Sequence, residues 1–133
     1  MTFAPGVVGA LLGFGTVWAM WMSQMLAERS GAAILLCAIA FFYPVFAVMD
    51  GVSGLMVGVH IAIFLGFSFL ATVGFHRGLG VLALGIVAHG VFDLVTFFTG
   101  HPAPVWWPAF CGGLDIAAGL SILWLLRTQR ITT

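Results

Sequence analysis

Apolar residues fill this chain in five long runs, separated by short polar or glycine-rich breaks. The runs cover about residues 5–27, 32–49, 52–75, 79–98 and 106–126. Each comes to about the ~20 residues that a helix needs to cross the hydrocarbon core of a bilayer. The breaks are Glu28-Arg29-Ser30-Gly31, Asp50-Gly51, His76-Arg77-Gly78 and Thr99-Gly100-His101-Pro102-Ala103-Pro104. These are turn signals. Strand-type alternation is absent, which argues against a transmembrane barrel. The pattern predicts an all-α polytopic membrane protein, with five transmembrane helices in one compact bundle. Residues 1–133 form a single domain, and the short connections make consecutive helices antiparallel neighbours.

Composition sharpens this picture. Of 133 residues, 62% are hydrophobic and 6% charged, too few charges to clothe a soluble domain of this size. There is no lysine, and the formal net charge is zero, which says nothing in favour of nucleic acid. The four cations are Arg29, Arg77, Arg127 and Arg130. With five crossings they all fall on one side of the membrane, whereas four or six crossings would scatter them. The positive-inside rule then puts the N-terminus outside and the C-terminus in the cytoplasm. Trp106 and Trp107 fall at the outer interface and Trp124 near the inner one, as an aromatic belt requires. The opening MTFAPGVVG lacks the cationic region of a signal peptide, so the first run is expected to be retained.

Small residues supply packing surfaces. Gly54, Gly58, Ala62 and Gly66 recur every fourth residue on the third helix, and Gly9 and Gly13 repeat the pattern on the first. Both stripes read as close helix contacts, with a homo-oligomer face as the alternative use. Tyr43-Pro44 predicts a kink in the second helix. Cys37 and Cys111 have no CxxC spacing and read as small buried hydrophobes.

The chemistry lies in four ionisable residues within the spans. At the helical rise, His60 lies ~12 Å from the outer end of its run, Asp93 ~8 Å, and His89 and Asp115 ~13–14 Å. Three helices thus place His60, His89, Asp93 and Asp115 in one layer of the outer half. His89, Asp93 and Thr96 share a helix face. On the fifth helix Cys111, Gly112, Asp115, Ala118 and Gly119 share another, and the short connection sets His89 opposite Asp115 and Asp93 near Cys111. A charge near the bilayer centre costs ~2.5–3.5 kcal/mol on insertion scales, so these groups need partners or a function. Asp50, His76 and His101 lie at loop ends and read as solvated, with His101 able to line an outer entrance.

The segments AHGVFDLVTFF (residues 88–98) and PVWWPAFCGGLD (104–115) resemble small bacterial integral-membrane proteins of an uncharacterised family. The resemblance spans most of the chain. It implies a multi-helix protein of the cell membrane, in bacteria the inner membrane, and carries no activity with it. Three readings of the polar layer follow from its residues. The first is an acid/base enzyme or binding protein for a lipid-soluble small molecule, in an outward-facing His/Asp pocket. Its analogy is the sterol-isomerase type of five-helix protein, which also sets a histidine and a carboxyl one turn apart. The second is a proton or cation pathway, and the third a metal site with His60, His89, Asp93 and Asp115 as ligands, or a structural subunit.

Overall fold

The computed structural model describes residues 3–100 and 102–131; His101, the proposed entrance residue, lies outside the described residues. Five helices follow one another: α1 (Ala4–Met22), α2 (Ser30–Met49), α3 (Gly54–Arg77), α4 (Leu79–Thr99) and α5 (Trp107–Arg127). All five are long and apolar enough to cross a membrane, as the hydrophobic runs predict.

Local chemistry sets the ends. Ser53 caps α3 by accepting a hydrogen bond from the Met56 amide, the usual task of an N-cap hydroxyl. Gly78 follows α3 with φ of 141°, a value open to glycine, and the chain turns at once into α4. The first helix stops five residues short of the predicted end at residue 27. Gln24 adopts a positive φ of 66°, and Leu26 folds back to full burial with its amide bonded to the Met20 carbonyl. The apolar run continues past Met22 because Leu26 packs into the core outside the helix. Pro44 sits within α2, which continues unbroken through it.

The helices are not all packed in chain order. α4 touches α2, α3 and α5, and α1 lies along α5. The expectation that α1 neighbours α2 along its length therefore fails. The reason is glycine. A Cβ on Gly9 would stand 1.9 Å from the Phe110 carbonyl oxygen, and one on Gly13 would stand 2.4 Å from that of Leu114. On the facing helix, a Cβ on Gly113 would meet the Gly6 carbonyl oxygen at 2.3 Å. Backbone lies against backbone along this seam.

The longer stripe on α3 does the opposite of what its spacing predicts. Gly54, Gly58, Ala62 and Gly66 are all exposed, and Cβ atoms added at the three glycines would meet nothing within 4 Å. The buried face of α3 carries His60, Ala71 and Gly74 instead. A helix with one histidine on its flank loses more by turning an imidazole to lipid than by turning glycines there.

The arginine-bearing turns gather at one end of the bundle. Arg29 donates from its guanidinium to the carbonyls of Phe75 and His76 at the close of α3, next to Arg77. Trp21 of α1 and Gln24 and Ala27 of the turn after it share a cavity with Arg130 beyond α5.

Candidate functional site

Glycines again bring the site together. Cβ atoms on Gly90 and Gly112 would lie 3.0 Å and 3.3 Å from the Cβ atoms of Asp115 and Asp93, respectively. About two turns further along, a Cβ on Gly119 would approach the Ala83 carbonyl oxygen at 2.9 Å. With these three positions bare, α4 and α5 come close enough for short carboxyl side chains to meet between them.

His89 Nδ1 lies 2.7 Å from Asp115 Oδ2, a hydrogen bond from ring to carboxylate, and 3.5 Å from Asp93 Oδ2. The Cys111 thiol donates to Asp115 Oδ2 at 3.8 Å. One donor atom from each of His89, Asp93, Cys111 and Asp115 falls within 4.8 Å of the others. The four are two helical i, i+4 pairs, His89/Asp93 on α4 and Cys111/Asp115 on α5, facing each other. His89, Asp93 and Asp115 are 0% exposed and Cys111 2%.

A further shell comes from α2. The Tyr43 hydroxyl donates to Asp93 Oδ1 and lies 3.3 Å from the Thr96 hydroxyl. Thr96 in turn donates to the Asp93 carbonyl at 2.7 Å. Aromatic rings close the surroundings: Phe67 stands edge-on to the His89 ring at 4.9 Å, and Phe92 lies 5.7 Å from it. Towards the start of α5, Trp107 packs against Phe42 and Phe46.

The predicted facing of His89 to Asp115 and of Asp93 to Cys111 is the facing found. His60 is buried as expected but stands apart from the donor set, its ring stacked on Tyr43 at 5.9 Å. Cys111 is buried in the apolar core as predicted, and its sulfur also stands in the fourth place that the sequence reading gave to His60. Tyr43, which the sequence marks only as part of a kink, joins the site through Asp93. Asp50 and His76 are exposed at helix ends. The centre is closed rather than an outward-facing pocket, since three of its four donors are wholly buried and the fourth nearly so. The rings of Phe67 and Phe92 pack around His89, and Phe92 also meets Tyr43.

Two features remain unbalanced. His89 Nε2, Asp93 Oδ2 and Asp115 Oδ1 have no hydrogen-bond partner. Among the described residues no arginine pairs with either carboxylate. The site sets one imidazole against two carboxyls, so ionisation of both would leave one negative charge in excess, in a medium that penalises unpaired charge heavily.

No known protein family matches the chain, and neither does any curated protein or solved structure. The membrane-protein reading therefore rests on the five spans, and the site on its own geometry.

Tyr43 supplies a direct check on that geometry. Tyr43→Phe keeps the ring and removes the hydroxyl that serves a fully buried carboxylate. Hydrogen bonds to charged groups contribute ~1.5–3 kcal/mol, and the variant should lose about that in thermal unfolding in detergent. Unchanged stability would show that Asp93 does not depend on Tyr43.

Proposed function

We propose that this multi-pass membrane protein holds one divalent transition-metal ion between α4 and α5, with His89, Asp93, Cys111 and Asp115 as ligands. The observation that carries the reading is the convergence of four buried donors from two facing i, i+4 pairs. Pairing of helical ligands across a bundle core is a common way to build such a centre. A tetrahedral zinc site has bonds of ~2.0–2.3 Å and donors ~3.3–3.8 Å apart. Shifts of ~1 Å bring the present donors to that spacing. A divalent cation would also balance the two carboxylates in their ionised form.

The donor set narrows the ion. Sulfur and imidazole beside carboxylate favour zinc and its neighbours over magnesium or calcium, which prefer all-oxygen shells. Four protein ligands leave no coordination place open, the arrangement of a structural zinc site rather than a catalytic one. The ion then ties α4 to α5 from inside the bilayer, and Tyr43 orients Asp93 as an outer hydrogen-bond partner.

A second reading rests on the hydrogen bonds. Tyr43 to Asp93 and His89 to Asp115 are two acid/base pairs side by side, suited to proton exchange with a lipid-soluble molecule. Such a molecule must displace the Phe67 and Phe92 rings to reach them, a movement that metal binding does not need.

Metal analysis separates the two. Protein purified without a chelator and without a metal-affinity step should carry close to one zinc-class ion per chain by elemental mass spectrometry. Asp115→Asn and Cys111→Ser should each lower that content while the chain stays folded. Protein that is metal-free, and takes up no zinc on dialysis against it, would eliminate the metal centre and leave the acid/base reading.

A further inference from the structure

A second site lies at the arginine-bearing end, on the outer surface of the α1/α5 seam. A groove of about 430 Å³ runs there between Phe14, Val17 and Trp18 of α1 and Leu120, Trp124 and Leu125 of α5. Beside it lies a smaller polar hollow of about 150 Å³ formed by Gln24, Ala27 and Ile131. Trp21 and Arg130 line both. An apolar groove thus adjoins a cation and a polar recess.

Arg130 is held there by the backbone. α5 ends in a Schellman motif: Gln129 has a positive φ of 54°, its amide bonds the Leu126 carbonyl, and the Arg130 amide bonds that of Leu125 at 3.0 Å. This reversal satisfies the last carbonyls of the helix. It also turns the chain back, so that Ile131 is buried and the Arg130 guanidinium lies over the Trp124 ring, 5.1 Å from its centroid. No carboxylate among the described residues pairs with Arg130. Its charge is fixed in place and left open.

We infer that this groove binds one anionic phospholipid, with the phosphate on Arg130 and an acyl chain along Trp18 and Leu120. Charge complementarity selects the occupant. A membrane surface offers phosphate at the depth where tryptophans sit, and an arginine near that surface favours anionic over zwitterionic headgroups. The planar guanidinium donates two parallel hydrogen bonds to phosphate oxygens. Trp18 and Trp21, edge to face at 6.2 Å, stiffen one wall of the groove. The inference is independent of the metal centre, which lies between α4 and α5.

The test uses delipidated protein in detergent, mixed with equal amounts of phosphatidylglycerol and phosphatidylcholine and examined by native mass spectrometry. The single-lipid adduct of the intact chain should favour phosphatidylglycerol by ~5-fold, the ratio expected from one cation beside a headgroup of net negative charge rather than a zwitterionic one. Arg130→Gln should bring the ratio to about one. Arg127→Gln, an equally exposed arginine on the same end that lines neither cavity, should leave the preference in place. No preference in the unmodified chain, a preference that survives Arg130→Gln, or equal losses in the two variants would each overturn the site.

Discussion

Gly9→Leu and Gly13→Leu are expected to break the bundle, while Gly58→Leu leaves it intact. The contrast follows from what each Cβ meets. At Gly9 and Gly13 the obstacles are main-chain carbonyls of α5 at 1.9 Å and 2.4 Å, which cannot swing aside as a side chain can. Overpacking a core that is able to relax costs ~1–3 kcal/mol. A clash with helical backbone belongs at or above the top of that range. Nothing in the bilayer offsets the loss, because lipid tails are as apolar as leucine and helices associate through close packing. With α1 forced off α5, the seam with Gly6 and Gly113 opens along its length. Gly58 has open space around it, and leucine there should change stability by no more than ~0.5 kcal/mol. Thermal unfolding in detergent and yield after purification read both effects. Gly9→Leu as stable as the parent, or Gly58→Leu as damaging as Gly9→Leu, would contradict the packing described.

Span number was legible in the sequence because hydropathy and the arginine positions constrain it separately. The partner of each helix was not. Small residues at fourfold spacing occur on both α1 and α3, and spacing does not say which stripe is covered. The deciding feature lay on α5: the Gly112-Gly113 pair presents one glycine to α4 and the other to α1. Two adjacent bare positions on one helix were a readable sign that it had close neighbours on two sides.

The site was legible where depth and facing agree. His89, Asp93 and Asp115 met because helical rise and short connections leave them little choice. Cys111 bears the same i, i+4 relation to Asp115 as Asp93 does to His89, so the fourth donor was visible as a repeat of the first pair. Tyr43 is the single tyrosine in the chain. It lies six residues before the end of α2, ~9 Å along the helix, in the same layer as the other polar groups. Its hydroxyl had to find a partner there. His60 shares that layer as well, but depth alone does not fix direction. Its ring was drawn to the face of Tyr43 rather than into the donor set.

Energetic coupling in the centre should be large, and it should depend on metal. His89→Leu leaves two carboxylates facing each other with no cation, and stranding buried charge in this way costs ~3–5 kcal/mol. Asp115→Ala removes a carboxyl without adding a branch beside Gly90, where space is short. It leaves His89 with the Asp93 carboxylate 3.5 Å away, and should cost less than His89→Leu. The double variant leaves Asp93 with its Tyr43 hydrogen bond and no unmatched neighbour. It should therefore recover ~1–3 kcal/mol of the summed losses, within the range seen for groups in direct contact. Zinc adds the second axis. A ligand that binds only the folded chain stabilises it by ~2.7 kcal/mol at a hundred times its dissociation constant. That gain should appear in the unmodified protein and vanish in both single variants and the double. Recovery in the double without any response to zinc describes a hydrogen-bonded knot that fixes helix register. Strictly additive losses, again without a zinc response, would mean that His89 and Asp115 do not act on each other at all, against the 2.7 Å that separates them.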